Sequence, residues 1–462
     1  MTPEFIKKKN KPLVCIQGLG FVGTAMMVAV ASRFVKNKNL FNVIGLDLDT
    51  SRGRKIIKSL NSGNLPINTT DKDLKNSFKK IYKKRNYFAT IDNNFIRYAD
   101  IIISNVNLDI KKNKNIHVDF SNFKNAMKVL GKHMKENALI IVETTVPPGT
   151  SEKIAIPIIE KERKKRGIKS QLKFAFSYER VMPGSKYLDS IINYWRVYSG
   201  YNKNSASLCS SFFKKVINTK KYPLTELSSL TACETSKILE NSYRAVNIAF
   251  IDEWSRFAEN ISIDLYEVIE AIKIRPTHSN IRYPGLGVGG YCLTKDPLFG
   301  LVSAKQIHFM KNLNFPLSLK SVEINDNMTT SSIKLLEKHL KSIKNKRILI
   351  LGLSYRPDTD DTRNSPSTIF AKKLLLKGAL IYGHDPLVIT WEKLEKYRLQ
   401  SLKDIPQIDA VVLAVNHKEY KKMDFSKLNI RNKLILDTNN IATKIQKKKI
   451  FEKKLRYISL GR

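Results

Sequence analysis

At 462 residues, with 81 Lys and Arg against 41 Asp and Glu, the chain carries a formal net charge of +40. That length predicts roughly two to four domains, and a 42% hydrophobic content excludes a disordered chain. Four widely spaced cysteines (Cys15, Cys209, Cys233, Cys292) exclude a disulfide framework or a zinc ribbon and point to a reducing, cytoplasmic setting. The lysines are scattered in short runs such as Lys7–Lys9, Lys83–Arg85 and Lys447–Lys449, without aromatic interleaving. They read as solvated faces, so no nucleic-acid partner is expected, although the positive field would steer an anionic nucleotide substrate.

Met1 to Pro12 holds no apolar stretch before a small-residue cleavage site, so no signal peptide is expected. Leu13 to Ala31 is nearly uncharged and long enough to span a bilayer. Its three glycines and strand-like opening argue instead for a strand followed by a helix, with no membrane insertion. Short apolar runs then alternate with helical stretches: Val14–Gln17, Val43–Asp47, Ile101–Asn105, Leu139–Glu143, Lys173–Ser177 and Arg196–Ser199. That alternation predicts βαβ units and a parallel sheet. From about Thr225 to Leu336 the pattern is mostly helical, broken by a Gly/Pro-rich loop at Tyr283–Gly290. Strand-like runs return at Arg347–Leu351, Leu380–Gly383, Ala410–Ala414 and Lys433–Asp437. The expected class is α/β: two doubly wound Rossmann-like domains (1–213 and 326–462) joined by a helical central domain (214–325).

Three motifs carry chemistry. Gly18, Gly20 and Gly23 follow the first strand and open a helix, a spacing that lets backbone approach a dinucleotide pyrophosphate. Asp47 closes the next strand, 24 residues past Gly23, where a carboxylate can hold the adenosine ribose and favour NAD over NADP; Arg52 nearby would weaken that preference. The second motif, Pro284 to Asp296, places Cys292 directly after dense glycines and at an expected helix start. The helix dipole and Lys295 would there favour a thiolate, with Asp296 one turn on. The third, Glu234 to Asn241, puts Lys237 and Asn241 four apart on one helix face. Read alone, that pair is two solvated residues. No metal-ligand set is apparent.

In this order the motifs resemble the family of UDP-glucose, UDP-N-acetylhexosamine and GDP-mannose 6-dehydrogenases. The likeness runs from about Pro12 to the C-terminus. It is carried also by Leu60–Pro66, Ala99–Asn105, Glu143–Thr150, Tyr178–Gly184, Leu351–Pro366, His384–Pro386 and Asp437–Asn440. The resemblance implies a four-electron oxidation of a sugar's C6 alcohol using two NAD in succession. Cys292 would carry the aldehyde as a thiohemiacetal and then a thioester, and Lys237 and Asn241 would stabilise the oxyanion. Glu179, with Thr145 and Asp296, would direct hydrolysis. Cofactor contacts are implied at Gly18, Gly20, Phe21, Val22, Gly23, Asp47, Arg52, Asn105, Thr145, Lys295 and Arg363. Substrate contacts are implied at Arg180, Val181, Lys237, Asn241, Arg282, Tyr283, Gly289, Tyr355 and Arg356.

The chain departs from the family pattern in having Asn105-Val106-Asn107 where a TPT-like turn is usual. Arg356 stands where a lysine is common, and Thr294 where a proline is frequent. The stretch Glu179–Gly184 favours the UDP-N-acetylhexosamine branch. The order of expected substrates is UDP-N-acetylmannosamine or UDP-N-acetylglucosamine, then UDP-glucose, then GDP-mannose. A two-electron β-hydroxyacid dehydrogenase would share the N-terminal pattern and the helical lysine, but needs neither Cys292 nor a second α/β domain. The resemblance also implies a homodimer or higher homo-oligomer through the helical middle.

Overall fold

The computed structural model describes residues 3–8, 11–112, 115–403 and 405–462. It divides into two compact units, Met1–Leu239 with Leu298–Asn314, and Glu240–Pro297 with Phe315–Arg462.

The first unit is built on an eight-stranded sheet: β1 (Leu13–Gln17), β2 (Asn42–Leu46), β3 (Tyr87–Thr90), β4 (Ile101–Ser104), β5 (Leu139–Val142), β6 (Lys173–Phe176), β7 (Arg196–Gly200) and β8 (Leu224–Glu226). The order across the sheet is β8-β7-β6-β5-β4-β1-β2-β3. Strand β1 pairs in parallel with both β2 and β4, so the chain reverses its winding there. In such sheets ligands bind beyond the carboxyl ends of the strands at that reversal. The run Leu13–Ala31 is β1, the glycine turn and helix α1 (Phe21–Ala31), and α1 is apolar all round because it is buried from Gly23 on. No helix among the described residues is long and apolar enough to cross a membrane.

Two expectations are corrected. The sheet is not wholly parallel, since β7 runs antiparallel to β6. Thr225, read as the start of the helical middle, lies instead in the edge strand β8. Strands β3 and β8 also escaped the sequence pattern. Each is only three or four residues long and takes its conformation from a neighbouring strand rather than from its own periodicity.

Helix α2 (Ser51–Asn61) follows β2, capped by the Thr50 side chain accepting from Gly53 N–H. Helix α3 (Leu230–Ile261) begins in the first unit and continues into the second. The second unit adds α4 (Leu265–Lys273), α5 (Pro316–Leu340) and α6 (Lys444–Glu452). Its wholly parallel sheet has the order β10-β9-β11-β12-β13, from β9 (Arg347–Leu351), β10 (Leu380–His384), β11 (Ile408–Leu413), β12 (Ile430–Asp437) and β13 (Arg456–Ser459). The sequence reading had also missed β13, a four-residue strand close to the C-terminal Arg462. Buried aliphatic clusters cover both faces of each sheet, which fixes the carboxyl ends of the strands as platforms for loops.

Candidate active site

In the first unit the glycine turn forms where close approach leaves no alternative. A Cβ on Gly23 would lie 1.8 Å from the Gly18 carbonyl oxygen, and one on Gly18, at φ +91°, would lie 2.9 Å from the Asn105 carbonyl oxygen. Gly20 differs in having no atom within 4 Å of its Cβ position, so its backbone faces open space. It caps α1 without a side-chain acceptor, and the first turn holds no acid. The first N–H groups of α1 are therefore available to an anion, as a pyrophosphate requires.

Asp47 follows β2 and accepts from Leu19 N–H (3.1 Å) and Leu48 N–H (2.7 Å), which aims its carboxylate at the turn. Arg52 is exposed in the first turn of α2. Asn105 follows β4, its N–H donating to the Gln17 carbonyl (2.8 Å). The fold thus places Gly18, Gly20, Phe21, Val22, Gly23, Asp47 and Asn105 at the reversal point.

A second group in this unit surrounds Lys237. Its side chain is buried, with Nζ donating to the Glu179 carbonyl oxygen (2.9 Å) and lying 5.2 Å from the Tyr178 ring centroid. The Glu179 carboxylate accepts from Val181 N–H in a short bond. Arg180 spans Tyr178, donating to its hydroxyl (3.0 Å) and to the Trp195 carbonyl (2.9 Å). Lys237, Glu179, Arg180 and Val181 are therefore one polar cluster on a buried tyrosine. Thr145 is buried in the loop after β5.

In the second unit Cys292 is the only one of the four cysteines that is not buried. Burial pushes Cys15 and Cys233 up to about 12 and Cys209 well above its ordinary range, so those three are inert packing residues. The expected helix start at Cys292 is not formed. Cys292 occupies a turn closed by Asp296 N–H donating to the Cys292 carbonyl (2.8 Å), and helical structure begins only at Asp296, as a 3-10 turn (Asp296–Leu298), a short helix (Phe299–Val302) and a π-helical turn (Ser303–Ile307). Cys292 therefore stands ahead of the helix start rather than at it, and the charged side chains of its turn are Lys295, Asp296 and Arg363.

Asp296 is fully buried and accepts from Lys295 Nζ (2.7 Å) and Asn241 Nδ2 (2.8 Å). Lys295 and Arg363 both reach the Tyr291 ring, at 4.5 and 5.7 Å from its centroid. Arg363 is gripped by Asp361 (Nη2 to Oδ2, 2.6 Å), and that bond and charge outweigh the burial that opposes its cationic form, keeping it above the usual arginine range. Burial, reinforced by Asp361 and Cys292, pushes Tyr355 up to about 12, so the phenol keeps its proton.

The Leu351–Pro366 stretch holds the cysteine turn in place. Gly290, at φ +82°, donates to the Arg363 carbonyl (3.1 Å), and Asn364 Nδ2 donates to the Gly290 carbonyl (3.2 Å). A side chain on Gly289 would strike Pro366 and Tyr355, each at 2.7 Å. Two motifs whose bonded residues Gly290 and Asn364 lie 74 positions apart are thus one piece of structure, which links Cys292, Lys295, Asp296, Asn241, Gly289, Tyr355 and Arg363. Arg356 is half-buried beside them in sequence, its carbonyl accepting from Ser354 Oγ (2.8 Å). Arg282 N–H donates to Asn247 Oδ1 (3.3 Å), and Tyr283 joins a different cluster. Tyr283 stacks on Tyr266 (5.6 Å between centroids), lies under Lys273 (3.6 Å) and bonds Glu270 through its hydroxyl.

Two buried carboxylates were not singled out from sequence. Glu143, after β5, meets Arg196 of β7 at 2.7 Å with both side chains nearly inaccessible. Burial raises Glu143 despite the counter-charge of Arg196. Glu234, two positions before Ser236 on α3, accepts from Gly149 N–H (2.6 Å) and Ser151 N–H (2.8 Å), and burial pushes it up to about 8. Nothing local signals either role, because both partners are distant in sequence.

Comparison with known proteins matches this arrangement along nearly the whole chain. The models of the UDP-glucose/GDP-mannose dehydrogenase family match in three parts: the NAD binding domain over residues 12–217, the central domain over 231–327 and the UDP binding domain over 349–444. The chain belongs to the UDP-glucose/GDP-mannose dehydrogenase family. It is an NAD-dependent nucleotide-sugar dehydrogenase, and the glycine turn and Asp47 fit the dinucleotide that the first domain binds. Similar curated relatives include the UDP-N-acetyl-D-mannosamine dehydrogenases of Methanocaldococcus jannaschii (29% identical, covering 93% of each chain) and Pyrococcus horikoshii (29%, covering 93% of this chain and 95% of that one). The solved UDP-D-ManNAc dehydrogenase from Pyrococcus horikoshii superposes with a TM-score of 0.81 at 26% identity, covering 97% of this chain and 99% of that one.

Proposed function

We propose that this dehydrogenase carries out a four-electron oxidation of the C6 alcohol of a UDP-N-acetylhexosamine, UDP-N-acetylmannosamine first, to the uronic acid. The observation that carries the reading is the cysteine turn. One accessible thiol is fixed next to glycine-rich backbone, with Arg363, Lys295 and the Asn241–Asp296 pair around its loop. The curated relatives named above, acting on UDP-N-acetyl-D-mannosamine, support the choice of sugar.

Gly18–Gly23 and Asp47, with Arg52, Asn105, Thr145, Lys295 and Arg363, would hold NAD, which when bound would supply the hydride acceptor for each half-reaction. The residues do the rest. Lys237, with a water held by Asp296, takes the C6 hydroxyl proton as the alcohol loses a hydride and becomes an aldehyde. The Cys292 thiolate adds to the aldehyde carbon, forming a C–S bond and an alkoxide that Lys237 and Asn241 stabilise. Loss of the second hydride from that carbon leaves a thioester. Water, deprotonated by Glu179 near Thr145 and Asp296, adds to the thioester carbonyl, and the C–S bond breaks to return the thiolate and release the carboxylate. Arg180, Val181, Arg282, Tyr283, Gly289, Tyr355 and Arg356 hold the nucleotide sugar. The division into domains 1–213, 214–325 and 326–462 assigns cofactor, dimerisation and UDP binding in turn.

The enzyme would work in the cytoplasm as a homodimer or higher homo-oligomer. On α3, Tyr243, Phe250, Trp254, Phe257 and Ile261 follow one another at helical spacing and are each 45–55% exposed, an apolar stripe that a second copy would cover. The discriminating experiment is NADH stoichiometry across a panel of UDP-N-acetylmannosamine, UDP-N-acetylglucosamine, UDP-glucose and GDP-mannose. Two NADH per sugar, abolished in Cys292→Ala, is the expected result. One NADH per sugar with an aldehyde product, or undiminished turnover in Cys292→Ala, overturns the proposal.

A further inference from the structure

Away from the cysteine turn, the second unit carries a cavity of about 740 Å³, within the size range of small-molecule sites. Four separate segments build it: the end of α3, the second half of α5, helix α6 and the stretch from β13 to Arg462. Its lining holds Arg256, Lys334, Lys338, Lys447 and Arg462, with Glu259 as the one carboxylate. Phe451 also borders a second cavity of about 410 Å³, whose charged lining (Arg431, Lys433, Lys454, Arg456) contains no acid. Nine Lys or Arg side chains against one carboxylate compares with about two to one in the chain as a whole. The net charge alone does not account for that ratio.

Two of these cations are already paired with acids outside the lining, Arg256 with Asp252 and Arg462 with Asp264 (2.8 Å), which leaves Lys334, Lys338 and Lys447 as the charges an anion would relieve. Burial, and then the neighbouring Arg462, lower the Lys447 amine below the usual lysine range. His339, also in the lining, is lowered by burial and by Arg456 and Lys338. Glu259 offers little compensation, because burial raises its carboxyl and its oxygen is already taken by Gly461 N–H (2.8 Å). Lys334 and Lys338 stand exposed on α5 and form no ion pair among the described residues. Part of the wall is aromatic. Phe451 is 60% exposed, and its ring lies edge-on to Tyr457 at 6.3 Å, so one apolar face is open beside the cations.

We propose that this cavity is a binding site for a nucleoside di- or triphosphate. The phosphates would lie among Lys334, Lys338, Lys447 and Arg462, with the base against Phe451. Cations converging from several segments bind phosphate oxygens through charge-assisted bonds, and an exposed aromatic face stacks a base. None of the lining residues is among those assigned above to cofactor, substrate or catalysis, so a ligand there would act as an effector and not as a substrate. The proposal does not depend on which sugar is oxidised.

The test is fluorescence anisotropy of a methylanthraniloyl-ADP probe against the full-length enzyme with NAD saturating, followed by displacement with ADP, ATP and pyrophosphate. Wild type, the double variant K334E/K338E and F451A would be compared, with kcat and the KM for NAD as the control for folding, since none of these positions belongs to the catalytic or cofactor machinery. The expected result is probe binding that persists in saturating NAD, weakens about tenfold or more in K334E/K338E and severalfold in F451A, while kcat and the KM for NAD stay unchanged. Binding lost on NAD addition, or equal in wild type and K334E/K338E, overturns the site. Pyrophosphate displacing as well as ADP, with F451A unchanged, overturns the assignment of a nucleoside.

Discussion

Asp296 is fully buried and holds the Asn241 amide at 2.8 Å and the Lys295 ammonium at 2.7 Å, so its removal should register both in stability and in turnover. Asp296→Asn keeps the shape but withdraws the charge. Breaking a buried ion pair by removing one partner costs about 3–5 kcal/mol. The lower end applies here, because Lys295 is the adjacent residue on a flexible stem and can turn toward water. If Asn241 is an oxyanion donor, Asn241→Ala should lower kcat/KM by about 10²- to 10³-fold. If Asp296 acts on the reaction by aiming that amide, removing it from a protein that already lacks Asn241 should cost much less than removing it from wild type. The double-mutant cycle should then show a coupling of about 1–2 kcal/mol, making Asn241→Ala/Asp296→Asn roughly tenfold more active than the product of the single losses predicts. The assay is initial-rate NADH formation on the four proteins, with melting temperatures to correct for folding. Additivity within about threefold would refute the reasoning, since it would mean that the Asn241–Asp296 bond is structural and separate from the oxyanion step.

Other outcomes follow from buried or crowded positions. Arg196→Ala should destabilise the protein by about 3–5 kcal/mol by leaving Glu143 buried and unpaired. Glu143 already holds its proton to higher pH folded than unfolded; the native state then binds more protons, and stability falls as pH rises above the ordinary carboxylate range. Loss of Arg196 raises Glu143 further, so denaturant titrations should show a larger penalty at about pH 8 than at about pH 5, and a pH-independent penalty would contradict the pairing. Gly23→Ala places a methyl 1.8 Å from the Gly18 carbonyl oxygen and should weaken NAD binding by tenfold or more at a stability cost of about 1–3 kcal/mol, read by calorimetric titration and melting. Trp254→Glu, in the exposed stripe of α3, should leave the proposed homo-oligomer monomeric in sedimentation while the far-ultraviolet circular dichroism stays unchanged.

The sequence by itself determined those features whose partners are close along the chain. Gly18, Gly20 and Gly23 between a strand and a helix require no distant residue, and neither does the carboxylate of Asp47 at the end of the next strand. Period and turn chemistry were enough to place most strands of two α/β units with a helical stretch between them. Local information also marked Cys292 as the unusual cysteine, because only it follows a run of glycines.

What the tertiary structure decided involves contacts across long sequence separations. The antiparallel entry of β7 and the short strands β3, β8 and β13 depend on neighbours that supply the hydrogen bonds, so their own residues carry little signal. The Glu143–Arg196 pair and the grip of Glu234 on Gly149 and Ser151 arise only once the loops after β5 are folded against β7 and α3. The setting of Cys292 changed for the same reason. It lies in a turn ahead of the helix rather than at the helix start, and its surroundings are made by Asp296, Lys295 and Asn241, and by the 355–364 segment that Gly289 and Gly290 allow to pack against the turn, since charge at a site depends on which side chains share its space rather than on which are adjacent in sequence.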